Sequence, residues 1–320
     1  MLIGVSILVF ALIRVLPGDP VRTVVPETAT AADIEAARER FGLDRPIVVQ
    51  YGIYMWGVLQ GNFGRSFQTG GSVTTEMLQR IPATLELTTF ALLLALLVAV
   101  SFGLVAALKA GKLPDHMSRV VALFGTSLPE FWLGILFIYF FYYLLGWAPV
   151  PSGRLGVGIT LQQISGSAVI DSLLTANWAA LRSALSHLAL PVITLAIVIM
   201  GPMMRSVRVG ALDVLQSNSY RCAVAHGVPR GRLWRSYLAR PSLAGLPTLA
   251  ALVYGYLLGG AIMIEYVFAW QGFGQWALRG LLFRDYPVIQ AFVIVVATFY
   301  VLIFLLADVL HALLDPRVRL

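Results

Sequence analysis

The chain's 320 residues are 58% hydrophobic and only 12% charged, whereas soluble domains hold about half apolar and about a quarter charged residues. That balance excludes an ordinary soluble domain and points to an integral membrane protein. A net charge of +7 would suggest nucleic acid as partner of a soluble chain; here the placement of the cations matters more than their sum, and no nucleic-acid partner is expected.

A helix needs about 20 apolar residues to cross the hydrocarbon core. In chain order the candidates are 2–16, 87–108, 120–150, 188–204, 243–264 and 286–307, giving six spans. The first is interrupted by Arg14, the third holds Glu130, and the fourth is short. Met1 leads directly into apolar residues, with neither a basic segment nor a small-residue cleavage site, so 1–16 reads as a first transmembrane helix that stays in place rather than a signal peptide. The single cysteine, Cys222, excludes an internal disulfide.

Basic residues assign the sides. The connections 109–119 and 205–240 and the tail after 307 carry Lys109, Lys112, Arg119, Arg205, Arg208, Arg221, Arg230, Arg232, Arg235, Arg240, Arg317 and Arg319, with few acids. The opposite connections are longer and mix arginines with acids. The first side is therefore cytoplasmic, and both termini face it.

On the outer side, Thr30 and Asp33 form a capping box, and Gly42 is placed to end a helix over 31–41. Glycine turns follow at 61–64 and 70–71. The connection 151–186 opens with Pro/Gly turns and then offers an amphipathic stretch, 171–185. Both connections read as helical caps over an outer mouth, not as separate domains. The resulting division is a first span over 1–16, an outer connection over 17–80, a five-helix core over 81–312 and a cytoplasmic tail over 313–320. The core spans lie near 85–108, 120–147, 187–207, 243–266 and 286–309, with a cytoplasmic loop at 209–240.

No catalytic machinery is legible. Gly111–Lys112 is followed by Leu113, and Ala106 stands where a P-loop requires its first glycine. HExxH and GxSxG are missing, and His116, His187, His226 and His311 lack a ligand spacing. No catalytic residue, metal site or cofactor of its own is expected, and the chain does not read as an enzyme. Glu86, Glu130, Glu265, Asp285 and Asp308 lie in or beside spans, where an ionisable group is costly and marks a functional candidate. The competing reading is an interfacial or structural role. Glu130 follows Pro129 inside a span, and with Glu265 it is taken as a candidate for a translocation pathway. Prolines 129, 191 and 202 either kink apolar helices or mark their boundaries.

The loop 205–240 is the most informative stretch. Ser217, Asn218 and Ser219 can cap a helix, Tyr220–His226 supplies about two turns of small residues, Gly227 can take a left-handed C-cap, and Pro229 ends the helix. A short helix with a small-residue face admits another surface closely, and arginines around it can pair with carboxylates. From the residues alone it is either a basic loop at lipid headgroups or a docking element for a soluble partner.

This stretch resembles the cytoplasmic coupling loop of ABC importer permeases. The chain as a whole is similar to the first permease subunit of the dipeptide/oligopeptide and nickel importers. The ordered motifs are Leu-Pro-Gly-Asp-Pro at 16–20, Phe-Gly-Leu-Asp-Arg-Pro at 41–46, Gly-Asn-Phe-Gly at 61–64, Pro-Ala-Thr-Leu-Glu-Leu at 82–87, and Leu-Ala-Leu-Pro at 188–191. They continue with the loop at 220–227, Gly-Ala-Ile at 260–262, Glu-Tyr-Val-Phe-Ala-Trp-Gln-Gly-Phe-Gly at 265–274, Arg-Asp-Tyr-Pro at 284–287 and Asp-Pro-Arg at 315–317. Where the family loop reads Arg-Thr-Ala-Arg-Ala-Lys-Gly, this one reads Arg221-Cys-Ala-Val-Ala-His-Gly227, so partner contacts near Val224 and His226 are expected to be more apolar. Gly245 stands where the family has an early span-5 proline, with Pro247 two residues on.

The resemblance implies an all-α type I importer permease in the bacterial cytoplasmic (inner) membrane. Its expected partners are a second homologous permease subunit, two ABC ATPase subunits that supply ATP and Mg chemistry, an extracytoplasmic solute-binding protein, and membrane lipid. It implies ATPase coupling through Tyr220, Arg221, Cys222, Ala223, Val224, Ala225, His226, Gly227 and Arg230, and a pathway through spans 2, 3 and 5. A peptide route must be wet, because amides and charged termini are costly to strand in an apolar lumen. The alternatives are a self-sufficient channel or secondary transporter, which would need coupling carboxylates deep in its spans, and an ABC permease for a nickel chelate.

Overall fold

The structure, a computed structural model, describes residues 2–15, 25, 30–40, 42 and 44–314, with 13–15, 40 and 310–314 described as helix path only. The motifs at 16–20 and 315–317, Phe41, Leu43, Arg317 and Arg319 lie outside the described residues. Among the described residues the regular structure is helical, apart from one isolated bridge between Arg65 and Ser72.

The N-terminal part holds α1 (Leu2–Val15), α2 (Ala31–Arg40) and α3 (Ile47–Leu59). The expected capping box forms: Asp33 Oδ2 accepts from Thr30 N at 2.9 Å, and Asp33 N donates to Thr30 Oγ1 at 3.3 Å. Gly42 follows with φ 64°. Helix α3 falls in the 17–80 connection, where short helices were expected but only the one over 31–41 was located. It has no buried residue. It is fastened to α1 by the Ser6–Tyr51 hydroxyl bond of 2.8 Å and by Phe10 stacking edge-on to Tyr51.

The core begins with α4 (Val73–Leu108), whose 36 residues span about 54 Å at 1.5 Å per residue. Next come α5 (Leu113–Ser127), α6 (Glu130–Phe137) with its π-helical extension Ile138–Leu144, α7 (Ala168–Leu174), and the 39-residue α8 (Trp178–Gln216). The short α9 (Asn218–Ala225) leads to α10 (Arg230–Arg232), a π-helical stretch Leu233–Ala239 and α11 (Arg240–Ser242). The chain closes with α12 (Leu246–Gly260), α13 (Ile262–Val267), α14 (Phe273–Leu282) and α15 (Tyr286–Leu314).

Small residues bring the long helices together. Ala91, Ala95 and Ala99 repeat every four residues on α4, are fully buried, and share a core with Leu195, Ile199 and Met203 of α8. A Cβ added at Gly103 would lie 2.9 Å from Val207, and one at Gly201 would lie 2.7 Å from Ala122 O. Lipid tails are as apolar as leucine, so membrane helices gain from close van der Waals packing at Gly and Ala. Long α4 and α8 thus form the spine, with α5 laid across α8.

Three helices, α4, α8 and α15, are long and apolar enough to cross a membrane, and the number rises to five if each of two bent pairs counts as one span. The run 120–147, expected as one span, is two helices meeting at 104°. Leu128 and Pro129 are extended, with ψ of 135° and 131°. Proline crowds the residue before it out of the helical region, which breaks the helix there. The second bent pair turns by 49° between Arg230–Ser242 and Leu246–Gly260, with Gly245 at the N-cap and Pro247 just inside α12. Helix α1, at 14 residues, is shorter than the crossing length. It packs against α15. The stretch 171–185 is split between α7 and α8, because Ala176 adopts φ 51° and Asn177 Oδ1 caps α8 by accepting from Ala180 N at 3.0 Å.

Candidate coupling helix and translocation cleft

Ser217 both ends α8 and begins α9. Its hydroxyl donates to Val214 O at 2.7 Å and accepts from Tyr220 N at 3.2 Å. At the far end of α9, Gly227 has φ 69°; Gly227 N donates to Val224 O at 3.0 Å and Val228 N to Ala223 O at 3.1 Å. This paired closure is a Schellman motif, with Gly at the left-handed position. The helix is therefore defined at both ends by its own residues.

Its faces differ. Ala223 is buried and Tyr220 half-buried, packed toward the core and the stretch Leu233–Ala239. Arg221, Cys222, Val224, Ala225, His226 and Arg230 are exposed. His226 Nδ1 donates to Cys222 O at 2.9 Å and thus stays over the helix. Arg232, Arg235 and Arg240 are exposed nearby, together with Trp234. The face presented to the outside thus combines guanidinium groups with apolar surface.

The support for α9 comes from a buried ion cluster that the sequence did not disclose. Asp115 of α5 is fully buried. Its oxygens accept from Arg208 Nε at 2.5 Å, Arg208 Nη2 at 3.0 Å, Arg119 Nη2 at 2.7 Å and Gly111 N at 2.9 Å. The α4–α5 turn is thereby fixed to the end of α8 that carries α9. The only sequence signal was an acid among many cations.

Above α9 lies a cleft of 1480 Å³ bounded by α4, α12 and α15. Its walls are mainly apolar, but Thr89, Tyr254, Tyr237 and Arg240 also line it, and so does Tyr220 of α9. Thr89 and Tyr254 share a hydroxyl bond of 2.7 Å across it. Sequence reasoning missed Thr89, Tyr254 and Tyr237, which are ordinary residues within apolar runs.

The two expected pathway acids are placed differently. Glu130 opens α6 at the break in the third span; it is half-buried, and its Oε2 has no hydrogen-bond partner. Glu265 is fully buried. Its carboxylate accepts from Thr84 Oγ1, from Gln275 N at 2.7 Å and from Gly274 N, so it caps α14 instead of facing the cleft. Beside it Trp270 Nε1 donates to Ala83 O at 2.9 Å, and Phe273 N donates to Thr84 Oγ1 at 2.8 Å.

Other acids work the same way. Glu86 caps α7 by accepting from Ser167 Oγ and Val169 N, both at 2.7 Å. Asp285 accepts from Ser66 Oγ at 2.5 Å and Gln68 N at 3.1 Å. Asp171 accepts from Ser165 N at 2.7 Å and from Ile164 N and Gly166 N at 3.1 Å. Burial pushes the Asp171 carboxyl up, but these bonds outweigh it and hold the group below the usual carboxylate value.

Helices long and apolar enough to cross a membrane, a short exposed helix rimmed by arginines and a cleft reaching it fit a transport permease. The chain belongs to the family of binding-protein-dependent transport system inner membrane components: that family's model matches residues 99–320, and the model of its N-terminal region matches residues 1–88. It is 39% identical over 317 residues to the di/tripeptide transport system permease protein DppB of Pseudomonas aeruginosa, covering 99% of this chain and 94% of that protein. It is 37% identical to the probable D,D-dipeptide transport system permease protein DdpB of Escherichia coli K12, over 98% of this chain and 93% of that one. The glutathione transport system permease protein GsiC of the same strain is 34% identical, over 98% of this chain and 94% of that protein. The chain is accordingly a multi-pass inner-membrane permease subunit of a binding-protein-dependent transporter.

Proposed function

We propose that this chain forms half of the pathway of an ATP-driven importer of short peptides. In this reading α1 and the five core spans make six crossings with both termini in the cytoplasm, and α2, α3 and the 151–186 connection cap the outer mouth. A second homologous permease subunit faces the cleft. Two ABC ATPase subunits, carrying ATP and Mg, dock on α9, and an extracytoplasmic solute-binding protein delivers cargo. Peptide cargo is supported by the names of the di/tripeptide, D,D-dipeptide and glutathione relatives.

The observation that carries the reading is Tyr220: it sits on the short helix α9 and also lines the cleft. A push on α9 is therefore delivered directly to the cleft wall, and through Arg208 and Asp115 to α5. Arg221 and Arg230 serve as charge contacts, and Cys222, Val224, Ala225 and His226 as the apolar part of the docking face, with Ala223 packed inward and Gly227 forming the closing turn. Glu130, at the break between α5 and α6 with a free oxygen, is assigned to the pathway, and Glu265 to holding its outer rim.

Uptake of a labelled dipeptide by proteoliposomes holding the complete complex tests this. ATP-dependent uptake is expected, and Gly227→Asp should abolish cargo-stimulated ATPase activity while leaving membrane abundance intact. Normal stimulation in that variant would remove α9 from the coupling role. Uptake by this chain alone would instead favour a self-sufficient transporter, and uptake of a nickel chelate but no dipeptide would reassign the cargo.

A further inference from the structure

A second cavity, of 780 Å³, lies between α1, α3, the 62–70 turns and the start of α15, separate from the cleft above α9. This volume is within the range of about 300–1,000 Å³ typical of small-molecule sites. Its wall includes Phe10, Phe63 and Tyr286 together with two buried polar residues, Ser66, whose hydroxyl is taken up by Asp285, and Gln290. Gln290 is 5% exposed, and its Nε2 donates no hydrogen bond. A buried amide donor without a partner is unfavourable, so an acceptor from a ligand is favoured there. Arg45, Arg65 and Glu39 line the rim, all exposed. Arg65 Nε donates to Gly70 O at 3.1 Å, which orients its remaining nitrogens. Neither Arg45 nor Arg65 forms an ion pair among the described residues.

The cavity is continuous with α3, whose Val48, Trp56 and Leu59 are 81%, 66% and 75% exposed. An apolar helix with no fully buried residue and an exposed tryptophan suits the membrane–water interface. We propose that the cavity holds one zwitterionic glycerophospholipid of the outer leaflet. Its phosphate diester lies against Arg45 and Arg65, its headgroup ammonium against Glu39, and a glycerol ester carbonyl accepts from Gln290 Nε2. Its acyl chains run along the exposed face of α3. The leaflet assignment rests on the orientation proposed above; the lipid site itself does not. Helix α1 already packs against α15; the lipid adds contact between α3 and the start of α15.

The test is native mass spectrometry of the complete transporter complex, purified from membranes containing both ethanolamine and glycerol headgroups. One ethanolamine phospholipid per copy of this chain is expected to survive delipidation. The double variant Arg45→Gln/Arg65→Gln changes only exposed side chains and should lower its occupancy about tenfold, as loss of charge-assisted bonds to phosphate implies. Gln290→Leu should lower it as well, with assembly into the complex as the control for folding. Excess inorganic phosphate should leave the lipid in place. Absence of a retained lipid, preference for the glycerol headgroup, equal occupancy in the arginine variant, or displacement by phosphate would each overturn the proposal. Dipeptide uptake measured on the same preparations separates this outcome from failure of the transport reading.

Discussion

The region of α7, α14 and the start of α15 and the region around α9 handle charge in opposite ways. In the first, Glu86, Glu265, Asp171 and Asp285 are buried, and each gathers donors from a segment distant in sequence or from a local turn. In the second, Arg221, Arg230, Arg232, Arg235 and Arg240 are all exposed. Acids used inward make a rigid cap, whereas cations displayed outward make a surface for something else. Asp115 is the exception that links the two habits: it is an inward-used acid beside the end of α8 that carries α9, and it stiffens the lever on which the displayed helix sits.

The comparison can be broken at several points. The largest effect is expected for Asp115→Ala, which leaves Arg208 in a partly buried site without its partner. Loss of one member of a buried pair costs about 3–5 kcal/mol. The detergent-purified subunit should lose its thermal transition or shift it down sharply, and an unchanged transition would deny the cluster its structural role. Glu265→Leu comes next. It strands the Gln275 and Gly274 amides and the Thr84 hydroxyl at a cost of about 2–3 kcal/mol. Hydrogen exchange at the start of α14 should accelerate, while α9 keeps its protection.

Ser217→Ala sharpens the contrast, because it removes a cap from the displayed helix and touches no buried acid. About 1 kcal/mol of local helix stability should be lost. Subunit abundance should hold while cargo-stimulated ATPase activity of the complex falls several-fold, and equal activity would show that α9 is held by its partner instead of its cap. The smallest effect is in pH. Asp171 has a lowered folded-state pKa, so its contribution is complete above the unfolded carboxylate value of about 4 and is lost as pH falls through the folded value. The protection factors of the Ile164–Gly166 amides, with the intrinsic pH dependence of exchange divided out, should be flat near neutrality and fall only in acid, and Asp171→Asn should remove the acid-dependent part.

Much of the local structure was legible. The Thr30–Asp33 box, the Ser217 cap and the Gly227 turn use groups within a few residues of one another, so their spacing alone declares them. Pro129 was legible as a kink or a boundary, but the 104° turn was not, because proline excludes the helix locally and leaves the angle to packing. Helix α3 escaped notice because its apolar residues follow a polar connection and none of them is fully buried. The wall of the cleft escaped for a different reason: Thr89 and Tyr254 are 165 residues apart and become a polar contact only when α4 and α12 are brought together.

By itself the sequence determined that the chain lives in a bilayer, which end of each apolar run is basic, and where one short helix begins and ends. These are matters of transfer free energy and of bonds between near neighbours. Only the tertiary structure decided that Glu265 is a cap and not a cleft-lining residue, that Asp115 braces the helix at 218–225, and that Tyr220 stands between that helix and the cleft. A side chain's partner across a hundred residues depends on how helices pack, and no pattern within a single helix encodes that.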